Sequence, residues 1–216
     1  MRQDYRELIR DERLSFADEL ETLAADEWAA PSLCPAWTVQ QVAAHLASAP
    51  AMGPAQMLVE LGRSGLRINR FLADSATRWS ERGPEAIVRQ LRRNAERQAK
   101  PTGMPDAAVL CDAVVHGLDV RVPLSRNSHV DRRAARLVLD FLVTSGRRFP
   151  ASVLLGRPGG RVAGLCVEVP ELDWSHGTGE TLRAEVESAL LLLSGRPVGP
   201  DGLSGPGATH VRDRLR

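Results

Sequence analysis

The amino-acid sequence predicts a mainly α protein, in which a helical bundle is followed by a small C-terminal α+β element. Apolar residues recur at helical spacing through most of the first 147 residues. Prolines and glycines divide this region into segments of helical length. Beyond Phe149 and Pro150, residues 165–169 alternate apolar and polar side chains, as a half-buried strand does. We therefore expect two domains, residues 1–147 and residues 148–216.

The bundle is predicted to begin with an amphipathic helix at residues 4–25. After a loop with two prolines, Thr38 and Gln41 form a capping-box pattern, which predicts that the second helix starts there. We expect this helix to continue, with an irregularity near residues 50–54, to about Leu61.

Further segments follow the same helical periodicity, and the segment at 106–122 carries the most informative residues. Residues 155–161 are expected to form a turn before the strand. Glycine and proline at 197–207 separate the last two helices. The remaining predicted helices are 66–82, 85–99, 131–146 and 180–194, with a short helix near the C-terminus.

The composition is that of a globular protein and excludes several function classes. The chain has 216 residues, 43% hydrophobic and 25% charged, with a net charge of +1. This charge gives no reason to expect a nucleic acid or an anionic membrane as partner. The arginines on the predicted helix 85–99 are interpreted as a solvated face, since no aromatic residues alternate with them. No apolar run reaches the ~18 residues that a membrane span needs.

The cysteines and the first residues bear on the cellular compartment. Cys34, Cys111 and Cys166 are an odd number at wide spacing, so we expect no disulfide framework. The residues at 1–5 are mostly polar or charged and lack the apolar core of a signal peptide. Both features predict a cytoplasmic protein.

The segment at 106–122 places Asp112, His116 and Asp119 at i, i+4 and i+7, and therefore on one helical face. A carboxylate and an imidazole on a buried helix are costly to desolvate unless they are paired or bind a metal. His45 also lies in a helix with an apolar stripe. If the two helices pack side by side, His45, Asp112 and His116 meet in the bundle core, where bundles build metal sites.

Two nitrogens and one oxygen with an open position suit Zn²⁺, and Fe²⁺, Ni²⁺ or Mn²⁺ is also compatible. The alternative is that Asp112 and His116 simply pair with each other or with an arginine. The spacing alone does not decide between a metal site and such pairing.

Two motifs resemble those of a known family. Residues 37–46 read W-T-V-Q-Q-V-A-A-H-L, and residues 116–124 read H-G-L-D-V-R-V-P-L. They resemble signatures of the DinB-like superfamily, and more specifically of the maleylpyruvate isomerase family of mycothiol-dependent enzymes. Residues 31–35, 173–179, 191–197 and 203–205 are similar to the same family, so the resemblance extends over nearly the whole chain in the right order.

The resemblance implies a DinB-like four-helix bundle with a divalent metal, usually zinc, held by His45, Asp112 and His116. It also implies mycothiol as a thiol cofactor, whose thiolate adds to an electrophile for isomerisation or transfer. Asp119 and Arg196 match positions linked to cofactor binding or catalysis. One position departs from the pattern, since the well-characterised members carry Glu where Asp112 stands. The shorter side chain leaves open direct coordination, coordination through a water, or another role.

Alternatives remain for the two other candidates. Asp119 can support a metal-bound histidine or form an ion pair with Arg121 or Arg126. Arg196 can be a charge favoured at a helix C-terminus by the helix dipole. Cys34 is interpreted as a plain buried cysteine rather than a reactive one.

The sequence therefore predicts a metal-dependent enzyme that uses mycothiol or a similar thiol as isomerase or S-transferase on a small electrophile. Its partners are expected to be these small molecules, with neither nucleic acid nor membrane, and the protein to be a monomer or homodimer. The alternative is a non-catalytic metal-binding or small-ligand-binding bundle, which the Asp at position 112 keeps open.

Overall fold

The computed structural model of the chain describes residues 2–145 and 162–214. It contains two compact units, Met1–Asn127 and Ser128–Arg216, which are described separately. The first unit is helical, and the second combines helices with a small four-stranded sheet. The predicted fold class, mainly α with a small C-terminal α+β element, is confirmed. The predicted domain boundary at residue 147 stays a prediction, because it lies outside the described residues.

The first unit follows the predicted order of helices. Its described helices are α1 (Arg2–Leu20), α2 (Ala25–Ala29), α3 (Val39–Ser48), α4 (Pro54–Arg63), α5 (Ile68–Ser80), α6 (Pro84–Glu96) and α7 (Asp106–Arg121), with a short 3₁₀ turn at Ala49–Ala51.

One predicted helix is shorter than expected, and another is interrupted where an irregularity near residues 50–54 was expected. The predicted helix 4–25 ends at Leu20, because Thr22 donates both its backbone N–H and its hydroxyl to the Glu19 carbonyl and closes a tight turn. The Glu27 carboxylate then accepts from the Ala24 N–H and starts α2. The predicted helix 38–61 is split in two by the 3₁₀ turn, since a proline cannot donate the backbone hydrogen bond that a continuous helix needs.

The core of the first unit lies between packed helices. Helices α1 and α3 each pack against both α6 and α7, and α3 also packs against α5. Phe16, Leu20, Val42 and Leu91 are fully or almost fully buried between them. The capping box predicted for α3 is present, with Thr38 accepting from the Gln41 N–H. This cap fixes where α3 begins and therefore which of its residues face α7.

The second unit contains α8 (Arg132–Ser145), α9 (Val186–Leu193) and α10 (Gly207–Arg214). Its strands are β1 (Leu165–Val169), β2 (Trp174–Gly177), β3 (Glu180–Ala184) and β4 (Leu203–Ser204), in the order β2-β1-β3-β4. Strands β1 and β3 are parallel. Each outer strand pairs antiparallel with its neighbour, β2 with β1 and β4 with β3. Helix α9 packs against α8 and β1, and α10 packs against β3.

The second unit differs from the prediction at one segment. Residues 180–194 were expected to form one helix, but the prediction is wrong for the first part, which is strand β3. Leu182 and Ala184 are buried while Glu180 and Arg183 are exposed, and β3 pairs with β1. Pairing with a strand distant in sequence overrides the local helical tendency. The turn predicted at 155–161 lies outside the described residues.

In the described ranges 2–145 and 162–214, the helices are all too short or too polar to cross a membrane.

Candidate metal centre

Three of the predicted site residues converge inside the first unit. His45 lies on α3, and Asp112 and His116 lie one turn apart on α7. His45 Nε2 is 3.5 Å from Asp112 Oδ1, and His116 Nε2 is 3.6 Å from the same oxygen. One ligand atom from each residue lies within 4.8 Å of the other two. The packing of α3 against α7, which was the condition for this convergence in the sequence analysis, brings these side chains together.

The separations between these atoms fit one tetrahedral metal ion. With zinc at 2.0–2.2 Å from nitrogen and oxygen ligands, neighbouring ligand atoms of a tetrahedron lie roughly 3.3 Å apart. The two observed distances to Asp112 Oδ1 exceed this value by only a few tenths of an ångström. The shorter aspartate side chain thus reaches both imidazoles in this structure. The set leaves a fourth position for a further ligand.

Asp119 supports His116 from the side opposite Asp112. Its carboxylate is completely buried, and Asp119 Oδ2 lies 2.8 Å from His116 Nδ1. Because a carboxylate only accepts hydrogen bonds, Nδ1 carries the hydrogen and the lone pair of Nε2 is directed to the metal site. This contact matches the alternative in which Asp119 orients a metal-binding histidine. Arg121 and Arg126, its other candidate partners, pair with glutamates instead.

The charges around Asp112 keep its carboxyl group ionised. Burial raises the pKa of this carboxyl, but His45, His116 and Arg13 outweigh that effect and lower the pKa to about 2. The Asp112 side chain is 28% exposed, whereas His45 and His116 are buried. The site therefore holds a carboxylate at neutral pH, and Asp112 is its most solvent-exposed ligand candidate.

An aromatic ring covers the two imidazoles. The centroid of Trp37 lies 5.3 Å from that of His45 and 6.2 Å from that of His116. The loop that carries Trp37 is attached to α7 by a hydrogen bond from the Leu33 N–H to the Asp119 carbonyl. Trp37 thus forms one wall of the site.

Cys34 lies closer to the site than the sequence indicated. Its sulfur, one nitrogen of His116 and one oxygen of Asp119 lie within 4.8 Å of one another. The expected burial of Cys34 is therefore wrong, since the side chain is only partly buried and adjoins two site residues, while its lack of reactivity stays a prediction. The sequence did not indicate this contact, because Cys34 lies in a loop and helical spacing does not predict where a loop residue lies.

Arg196 belongs to the second unit. It follows α9, is 9% exposed, and donates from Nη1 to the Ser194 carbonyl at 2.9 Å. This bond matches the alternative of a cation at a helix C-terminus. A catalytic or cofactor-binding role of Arg196 stays a prediction.

Arg13 is a functional candidate that the sequence analysis missed. It lies on α1, is 5% exposed, and its charge acts on Asp112. The signal was present, since Ile9, Arg13, Phe16 and Leu20 follow one helical stripe whose other members are apolar. A charged residue on such a stripe is a candidate for a buried role.

The fold and the three converging ligand atoms define a helical bundle with a candidate mononuclear metal centre. Residues 9–121, more than half of the chain, match the family model described as "Mycothiol maleylpyruvate isomerase N-terminal domain". The chain belongs to this family, which confirms the family that its motifs indicated.

Two solved structures resemble the chain over nearly its whole length. One is mycothiol-dependent maleylpyruvate isomerase, and the other is a histidine-to-alanine mutant of it. They are 13% and 12% identical to this chain, with a TM-score of 0.57 in each case. The similarity covers 95% of this chain and 93% of theirs, and at this identity it shows the shared fold. No curated protein matches the sequence significantly. The family and both structures are those of an enzyme, as expected for this chain.

Proposed function

We propose that the chain is a metal-dependent enzyme that uses mycothiol, or a similar low-molecular-weight thiol, on a small electrophile. The reaction is an isomerisation or a transfer of the thiol, and the proposed location is the cytoplasm. Family membership supports a thiol-dependent isomerase and the thiol cofactor. The metal is proposed to be zinc, because two imidazoles and one carboxylate form a donor set typical of catalytic zinc sites.

The observation that carries this proposal is the convergence of His45, Asp112 and His116 at ligand-to-ligand distances that suit one ion. A divalent metal, when bound, supplies the positive charge that keeps a nearby thiol sulfur deprotonated at neutral pH. The partial exposure of Asp112 supports access of thiol and substrate to the open position.

The chain's own residues have separate tasks in this proposal. His45, Asp112 and His116 hold the metal. Asp119 keeps the hydrogen of His116 on Nδ1 and so presents Nε2 for binding. Trp37 packs on both imidazoles and excludes water from that side of the site. Arg196 is proposed to orient the cofactor or the substrate, since a guanidinium binds oxyanions through two parallel hydrogen bonds.

The first experiment compares the metal content of the wild-type protein with that of His116→Ala and His129→Ala. His129 is a matched control, because it is an exposed histidine of the second unit. After exposure to zinc and removal of free ions, we expect about one ion per chain in the wild type and in the control. His116→Ala is expected to lose it. An empty wild type, or a variant that keeps its zinc, contradicts the metal assignment.

The second experiment tests turnover. The zinc-loaded protein is incubated with maleylpyruvate, with and without mycothiol, and isomerisation is followed by absorbance. We expect product only when the thiol is present, and none with His116→Ala. If the wild type binds one zinc ion and still shows neither isomerisation nor a thiol adduct, the enzyme proposal fails. The non-catalytic metal-binding bundle is then the better description, as the Asp at position 112 allows.

A further inference from the structure

A pocket in the first unit is lined by cationic side chains. It lies between the first half of α1, the segment that follows α6 and the start of α7, and it is partly open to solvent. Arg6, Arg10, Arg13 and Lys100 line it, together with one acidic residue among its described lining, Asp106. We call it the cationic pocket. None of the residues proposed to bind the metal lines it.

The charges in the cationic pocket are only partly balanced. Lys100 pairs with Asp106, which leaves the three arginines. Arg10 pairs with Asp11 at 3.0 Å, but both side chains are about half exposed or more, and such surface pairs contribute little. The pocket thus has a positive field in a chain whose net charge is only +1.

Arg13 is the buried member of this group. Its Nη1 donates to the Ala99 carbonyl at 2.6 Å. Within the described part of the chain, no carboxylate oxygen lies within the 4.0 Å of an ion pair with its guanidinium. Burial lowers the pKa of Arg13, and the more distant Asp112 opposes this effect only in part. A guanidinium carries five N–H donors, and a buried charge without a close counter-ion favours binding of an anion.

We propose that the cationic pocket binds the oxyanion of a small molecule, a carboxylate or a phosphate, with Arg13 at its base and Arg6 and Arg10 at its rim. The planar guanidinium of Arg13 offers parallel N–H groups to two oxygens of one such group. This proposal goes beyond the proposed function, since it requires neither a bound metal nor turnover.

The test is calorimetric titration of the full chain at low ionic strength with inorganic phosphate and, separately, with succinate. Arg6→Gln combined with Arg10→Gln removes two rim charges, and both residues are exposed, so folding is not at risk. Arg89→Gln combined with Arg93→Gln is the matched control, because it removes two exposed arginines that do not line the pocket. We expect one anion per chain, at least about tenfold weaker binding in the rim variant, and less than about twofold change in the control.

Several results would overturn the proposal. The proposal fails if neither anion binds. It also fails if binding weakens equally in the rim variant and in its control, because equal weakening indicates a general effect of charge. The Arg13→Gln variant provides a second test, in which anion binding is measured after circular dichroism has shown that the variant is folded. A folded Arg13→Gln variant that binds as the wild type does also contradicts the site. If binding is present, the tighter anion identifies the ligand as a phosphate or a carboxylate.

Discussion

Two buried arginines, Arg121 on helix α7 and Arg13 beside it on α1, differ in how their charges are balanced. Arg121, at the C-terminal end of α7, is 3% exposed and bonds Glu12 and Glu19, each at 2.7 Å. Arg13, which packs beside the N-terminal half of α7, is 5% exposed and bonds a backbone carbonyl. Burial lowers the pKa of both, but the two glutamates reverse the effect for Arg121 and raise its pKa, while that of Arg13 stays lowered.

This difference separates a cluster whose charges are balanced from one that keeps an unbalanced charge. At the Arg121 end, two carboxylates compensate one guanidinium, and Gly117 leaves room for them. A methyl group at Gly117 would lie 3.0 Å from Arg121 Nη1 and 3.1 Å from Glu12 Oε1. A larger residue at position 117 would therefore crowd the Arg121–Glu12 pair. At the other end, Asp112, His45 and His116 offer atoms that an additional ion can use.

The largest effect on stability is expected at Arg121. Replacing Arg121 by Ala leaves the largely buried Glu12 and Glu19 without a counter-ion, so we expect the free energy of unfolding to fall by about 3–5 kcal/mol. Urea denaturation measures it. Arg89→Ala is the control, because its pair with Glu85 is exposed, and we expect a loss below about 1 kcal/mol. A loss of less than 1 kcal/mol for Arg121→Ala would show that the cluster does not stabilise the fold.

A smaller effect, and of another kind, is expected at Asp119. Asp119→Asn keeps the shape of the side chain but removes the charge beside His116 Nδ1. We expect zinc affinity to fall by about 10–100-fold, as for other carboxylates behind a metal-binding histidine. Competition with a chromophoric chelator measures the affinity, and Asp74→Asn, at a half-exposed aspartate paired with Arg70, is the control. An unchanged affinity would mean that Asp119 has no part in metal binding.

The sequence could predict the helical face of α7 because its signals are local. Asp112, His116 and Asp119 fall on one face by spacing alone, and the helix is observed at Asp106–Arg121 against a predicted 106–122. The capping box of Thr38 and Gln41 likewise depends on neighbouring residues. That the face meets His45 required the packing of α3 on α7, which spacing does not determine.

What the sequence could not predict depends on distant partners. The local sequence of β3 predicts the start of a helix, and its pairing with β1 makes it a strand. Cys34 reaches the site because its loop bonds Asp119, a contact between residues far apart in sequence. Arg13 shows a charge on an apolar stripe, but whether glutamates surround it, as they do Arg121, is decided by the opposing helices.

The smallest effect on stability is expected at Glu19. It tests how much each of the two glutamates contributes to holding Arg121. Glu19 Oε2 accepts from Arg121 Nε, whereas Glu19 Oε1 is buried without a hydrogen-bond partner among the described residues. Glu19→Gln keeps an acceptor for Arg121 and replaces a charge-assisted hydrogen bond by a neutral one, so the free energy of unfolding should fall by about 1 kcal/mol. The measurement is again urea denaturation, beside Arg121→Ala.

The comparison of these two variants is decisive because Arg121 keeps Glu12 as counter-ion in Glu19→Gln. If both variants lose the same stability, the guanidinium requires both carboxylates. If Glu19→Gln loses far less, one carboxylate is sufficient to hold a buried arginine. Arg13 then differs from Arg121 in one respect, since no carboxylate among the described residues lies close to it. A bound anion would take the place of that carboxylate.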